Sequence, residues 1–150
     1  MSETKVRPPR FNHVAMSVPS ALLDPAGRDE LAAFYGDVFG WQELPTETVD
    51  GQKLVFGVHT VEQFVFLIAD DPPMTCPRLD HYGLSVQTEA ELDAVLAKAK
   101  AWQARDDRVD IVDKKTDDHG MLAITSIYVR YLLPMMVEIQ WWDWKGSAPR

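Results

Sequence analysis

Three side chains of this 150-residue chain are of the types that hold metal ions, and their spacing puts them on comparable strands. His13 opens His13-Val14-Ala15-Met16-Ser17-Val18. His81 opens His81-Tyr82-Gly83-Leu84-Ser85-Val86, sixty-eight residues later, with serine and valine again in step. Glu138 stands inside Val137-Glu138-Ile139. A carboxylate within an apolar strand is costly unless it is paired or bound to an ion. Two imidazoles and one carboxylate facing a common cavity make a three-ligand set with open coordination positions. That set suits one divalent ion, non-haem Fe(II) first, with Mn(II), Co(II), Ni(II) or Zn(II) as other occupants. Such an ion acts as a Lewis acid or an O₂-binding centre.

The elements around these residues must bring them to one side. Side chains alternate across a strand. The larger apolar sets, Val14, Met16 and Val18 in the first run and Tyr82, Leu84 and Val86 in the second, belong under a helix. His13, Ala15 and Ser17, and likewise His81, Gly83 and Ser85, then fall on the opposite, concave face. In the last strand Val137, Ile139 and Trp141 form the apolar set, while Glu138 and Gln140 point the other way and Trp142 shares their parity. Gln140 and Trp142 are therefore candidate substrate contacts. The plainer alternatives are that each histidine is a hydrogen-bonded structural residue, that Glu138 pairs with Arg130, and that Trp141-Trp142-Asp143-Trp144 is packing or interface. Recurrence of the histidine at equivalent points of two units favours the shared site. His59 and His119 read as exposed loop histidines.

The repeat extends beyond the strands, and a repeated unit governs the fold. Phe11–Val18 reads as a strand, Pro19 to Gly27 as a loop and Asp29 to Phe39 as a helix ended by Gly40. Trp41–Leu44, Lys53–Val58 and Phe64–Ala69 read as strands, the last buried on both faces. Three prolines within residues 70–77 exclude a helix or central strand there. The order then recurs: strand His81–Val86, a helix from Thr88 to Arg105 with the Thr88/Glu91 capping-box pattern, and strands Val109–Val112, Leu122–Tyr131 and Met135–Trp142. This is an α+β chain of two βαβββ modules, forming a curved mixed sheet around one cleft with helices outside. One domain spans 1–150: a first module over 11–69, a linker over 70–79, a second module over 80–142 and a tail over 143–150.

The composition bounds the partners. A formal net charge of −8, with charges scattered, opposes both a nucleic-acid surface and an anionic membrane surface. No run approaches the ~18 apolar residues of a membrane span, and Met1 to Arg10 carries no apolar signal-peptide core. The single cysteine, Cys76, suits a reducing cytoplasm. The expected partners are a small-molecule substrate and a second copy of the chain. Trp144 and the run Leu132-Leu133-Pro134-Met135-Met136 suggest the exposed apolar area of a twofold homodimer.

These residues resemble the vicinal oxygen chelate superfamily, which includes glyoxalase I, bleomycin-resistance proteins and type I extradiol dioxygenases. The resemblance rests on His13-Val14-Ala15-Met16-Ser17-Val18, on Phe34-Tyr35-Gly36-Asp37-Val38-Phe39-Gly40-Trp41, on His81 and on Val137-Glu138-Ile139, and spans roughly Phe11 to Trp142. It implies the glyoxalase/bleomycin resistance/dioxygenase fold. Glyoxalase I uses a fourth ligand in the last strand of its first half, where this chain has the apolar Phe64-Val65-Phe66-Leu67-Ile68-Ala69. The three-ligand pattern resembles the extradiol ring-cleaving dioxygenases, and Tyr128 matches their tyrosine beside the glutamate strand, a catalytic role in steadying charge on a substrate oxygen. Phe66 would close the apolar wall of the substrate site, where the dioxygenases' acid/base histidine has no counterpart. Tyr131-Leu132-Leu133-Pro134-Met135 replaces the polar loop of many relatives and is expected to edge the cavity or meet a partner. The competing readings are a metal-free protein that sequesters a small aromatic or antibiotic, and a glyoxalase- or epimerase-type lyase or isomerase. His13, His81 and Glu138 beyond reach of a common point would favour the binding protein.

Overall fold

The computed structural model describes residues 7–146; the segments 1–6 and 147–150, which hold the first residues of Met1 to Arg10 and the end of the tail, lie outside the described residues. Its strands are β1 (His13–Val18), β2 (Gln42–Glu43), β3 (Lys53–Gly57), β4 (Phe64–Ala69), β5 (His81–Val86), β6 (Val109–Asp118), β7 (Leu122–Tyr131) and β8 (Met136–Trp144). Helix α1 (Pro25–Phe39) follows β1, and α2 (Glu89–Gln103) follows β5. The repeat is thus real: each half is βαβββ.

Each helix starts and stops for local reasons. Pro25 occupies the first turn of α1, where its missing N–H costs nothing, and the Asp24 carboxylate accepts from Gly27 N–H at 2.8 Å. The helix therefore begins within the stretch expected to be loop. It ends at Gly40, whose φ of 74° is the left-handed conformation glycine adopts without strain. Thr88 and Glu91 form the expected capping box at the start of α2.

The class is as expected, α+β with two modules, but within one chain the strands form two four-stranded mixed sheets. Their orders are β1-β4-β3-β2 and β5-β8-β7-β6, with β1 parallel to β4 and β5 parallel to β8. Among the described residues β1 and β5 are both free edges. The apolar faces share one core: Met16, Val18, Leu31, Phe34, Leu92, Ile127 and Val137 belong to a single buried cluster. Phe34 packs on Tyr131 and Trp102, with ring centroids 4.6 and 5.4 Å away. The Tyr35 hydroxyl donates to the Tyr131 carbonyl at 3.0 Å and accepts from its N–H at 3.2 Å. One module is thereby stitched to the other.

Four expectations are corrected here. β4 is not buried on both faces, because Ile68 is 44% exposed and Phe66 only half-buried. β6 runs on to Asp118, past a register shift between Val112 and Lys115, since β7 continues to pair with it. β8 likewise runs through Asp143 to Trp144, paired with Leu122 to Val129 of β7. Finally, the apolar loop after β7 is not an exposed surface. Leu133 is 3% exposed and Met136 fully buried, so the chain covers this run itself and the run lends no support to a dimer. Among the described residues no helix is long and apolar enough to cross a membrane.

Candidate metal centre

The alternation places the ligand candidates as expected. Met16 and Val18 are buried under the helices while His13 and Ala15 are exposed; Tyr82 is buried while His81, Gly83 and Ser85 are exposed. On β8, Val137 and Ile139 enter the core and Glu138 takes the histidine-bearing face. Register brings three strands together there, with Gly83 of β5 and Tyr128 of β7 on either side of Glu138.

His81 Nε2 lies 3.3 Å from Glu138 Oε2. On its other side the His81 ring places Nδ1 2.7 Å from the Leu79 carbonyl. A carbonyl oxygen only accepts, so Nδ1 carries the proton and a neutral ring leaves Nε2 as a bare lone pair. That lone pair faces a carboxylate that is 6% exposed. Two ligands of one ion, each ~2.1 Å from it, stand about 3.0–3.4 Å apart across a 90–110° angle. The pair fits a divalent cation. Gly83 lies beside the carboxylate, where a Cβ would make an ordinary contact with Glu138 Oε2 at 3.5 Å.

Tyr128 stands edge-on to His81, ring centroids 5.0 Å apart. Burial first, then hydrogen bonding to Glu138, pushes its phenol up to about 12, so it remains a proton donor at neutral pH. Farther along β8, Gln140 and Trp142 continue the same face; Trp142 Nε1 donates to Gln140 Oε1 at 2.8 Å, and Trp142 is 46% exposed. Arg130 does not pair with Glu138. It bonds Asp110 at 3.0 Å and the Pro134 carbonyl at 3.2 Å.

His13 and Phe66 stand apart from this group, on the first sheet. His13 stacks on Phe64 (4.6 Å, 4° between planes) and its Nδ1 donates to Asn12 Oδ1 at 2.7 Å, which again leaves Nε2 bare. Phe66 pairs with Ala15 and Val55 on the open face. A cleft of about 440 Å³ lined from both β1 and β5 takes in His13, Tyr82, Gly83 and Ser85, but neither His81 nor Glu138. Among the described residues no three His, Cys, Asp or Glu side chains gather closely enough to hold an ion. Within one chain the structure brings together His81 and Glu138, with Tyr128 beside them, and places His13 on the first sheet. The Leu79 carbonyl went unread, whereas Gly83 was expected on the histidine-bearing face and lies there. Only the small residue opposite Glu138 left a trace in the sequence.

No family model and no curated protein matches this sequence. Solved structures do match. A lactoylglutathione lyase from Agrobacterium tumefaciens superposes with a TM-score of 0.61, over 89% of this chain and 93% of that one, at 19% identity. The fosfomycin resistance protein FosX from Listeria monocytogenes, complexed with Mn(II) and sulfate, gives 0.60 over 87% of each chain at 16% identity. A glyoxalase/bleomycin resistance/dioxygenase protein from Nocardioides gives 0.60 over 97% and 93% at 12% identity. Identities this low carry the fold alone. The chain has the fold of the vicinal oxygen chelate proteins, as its histidine strands and Phe34-Tyr35 helix imply.

Proposed function

We propose that this protein is a divalent-metal-dependent enzyme acting on a small substrate with two neighbouring oxygens, its centre completed in a twofold homodimer. His81 and Glu138 supply two ligands, and the partner subunit's His13 supplies the third. The carrying observation is the facing pair, Nε2 to Oε2 at 3.3 Å, with Nδ1 already committed to Leu79. The ion supplies Lewis acidity and, as Fe(II), a seat for O₂. Tyr128, protonated at neutral pH, donates a hydrogen bond to a substrate oxygen and steadies charge that develops there. Gln140 and Trp142 flank the substrate along β8, and Phe66 of the partner subunit walls it on the apolar side. Ring-cleaving oxygenation of an aromatic diol is the leading reaction and proton-transfer isomerisation the next; O₂ consumption with turnover separates them. A reducing cytoplasm suits the free Cys76.

One observation favours a second reading, a metal-free protein that sequesters a small apolar ligand. Within one chain His13 stays apart, and the histidine-bearing face of the first sheet carries Ala15, Phe66 and the exposed Ile68 beside Ser17 and Lys53. Metal analysis of tag-free protein, followed by titration with Mn(II), Fe(II) and Zn(II), decides between them. The enzyme reading expects one ion per chain and loss of most affinity in Glu138→Gln, which replaces an anionic ligand with a neutral one. The same change costs folding little, because a buried charge leaves with it. Wild-type protein that takes up no ion, or a Glu138→Gln variant with full metal content, leaves the binding protein as the better account.

A further inference from the structure

The segment between the modules is fastened to one end of the second sheet. Cys76 Sγ donates to the Pro134 carbonyl at 3.1 Å. Arg78 reaches β6 and grips Asp110 with both Nε and Nη2, at 2.9 and 2.6 Å. The Asp80 carbonyl accepts from Met136 N–H at 2.9 Å, and Asp80 N–H closes a turn onto Pro77 at 3.0 Å. Asp110 is held in turn by Arg130. Between these fastenings lies Leu79, whose carbonyl takes the His81 Nδ1 proton.

We infer that Arg78 and Asp110 are positioning residues for His81: their ion pair anchors residues 76–80 so that the Leu79 carbonyl keeps the imidazole proton on Nδ1. The consequence for metal rests on the proposed ligand role of His81 and Glu138. A neutral imidazole has one proton and two competitors for it here. The Glu138 carboxylate, 3.3 Å from Nε2, draws it to that nitrogen; the Leu79 carbonyl, 2.7 Å from Nδ1, draws it to the other. If Glu138 wins, the ring donates to the carboxylate and both groups are lost to an ion. If Leu79 wins, Nε2 and Oε2 both face the ion as lone pairs. A carbonyl in a proline-rich connector competes only while the connector is held still, and the two-pronged Arg78–Asp110 contact is the charged fastening that does so.

The test reads the tautomer directly, by ring-nitrogen NMR of His81 in metal-free protein, in alkaline buffer where the imidazole is neutral. Wild type is expected to carry the proton on Nδ1. Arg78→Met and Asp110→Asn are expected to move a substantial share of it to Nε2 and to weaken Mn(II) binding by roughly 10–100-fold, the usual effect of losing an outer-sphere partner. Lys100→Met, which breaks the exposed Lys100–Asp113 pair (2.6 Å), is expected to change neither. If Arg78→Met fails to fold, Arg78→Lys keeps the charge, loses the fork, and is expected to shift the tautomer in the same direction. An unchanged tautomer in a folded Arg78 variant overturns the positioning role, even if wild type binds Mn(II). A shifted tautomer in a protein that binds no Mn(II) upholds the positioning role and defeats the ligand reading instead.

Discussion

At the scale of single residues, burial and charge decide what each polar group does. Glu138 remains in the wall of the sheet because His81 and Tyr128 face it, and the parity that predicts this was readable in Val137-Glu138-Ile139. The hydroxyl of Tyr131 was not readable, since its partners come from α1 and from the connection between α2 and β6. It lies 2.8 Å from both Glu30 and Asp106, accepts from Arg108 at 2.9 Å, and has one proton to share between two carboxylates. Arg108 makes this tolerable by bonding both carboxylates. Hydrogen bonding from Tyr131 and then Arg108 lowers the Glu30 carboxyl below its usual range, and Arg108 first, then Tyr131, lowers that of Asp106. Groups whose folded values are depressed contribute stability that is full above their unfolded values, near 4, and lost as pH falls through the folded ones. Arg108→Gln should therefore lower the urea midpoint at neutral pH and narrow the gap between neutral pH and about pH 2. A variant whose midpoint falls by the same amount at both pH values would show that this cluster is not linked to stability.

Elements were legible where a period or a cap governs them. The two histidine strands, Phe64–Ala69 and Leu122–Tyr131 match to the residue or within two, and the capping box at Thr88 forms as written. Elements failed where tertiary cover decides the matter. An apolar run reads alike whether both its faces are buried or one awaits cover, which is why β4 misled. Composition alone made Pro19 to Gly27 look like a loop, yet Pro25 is a tolerated first-turn residue and the short turn Ser20–Leu22 leads straight into α1. Gly27 belongs to that junction. A Cβ there would stand 2.5 Å from the Ala21 carbonyl oxygen and 2.7 Å from backbone atoms of Leu22, which cannot yield as a side chain tip would. Gly27→Ala should cost about 1–3 kcal/mol despite alanine's better helix propensity. Denaturant unfolding checks this: a stability equal to or above wild type would mean that the junction is plastic.

At the scale of the whole molecule the proposed ligand set divides between two surfaces that the described residues of one chain do not bring together. Sequence periodicity specifies which face a residue takes and carries no information on which copy of that face it will meet. The faces taken by His13, His81 and Glu138 were therefore legible and the separation of His13 from the other two was not. Among the described residues β1 and β5 are unpaired edges, and His13, His81, Gly83 and Ser85 on them are exposed, so in the proposed dimer a partner would offer its first sheet to this chain's second. That arrangement makes a strong demand on mixtures. His13→Ala removes the ligand given to the partner, and Glu138→Gln removes one that the chain keeps, so each homodimer alone should bind metal poorly at every site. When the two variants are unfolded, mixed equally and refolded, the mixed dimer has one site with all three ligands intact and one with two defects. Random pairing then restores about a quarter of the wild-type sites. Equilibrium dialysis against Mn(II) measures the recovery, and light scattering on the same sample measures the mass. Recovery near that level requires a shared centre, whereas none in a mixture shown to be dimeric would place His13 outside the site and favour metal-free ligand binding.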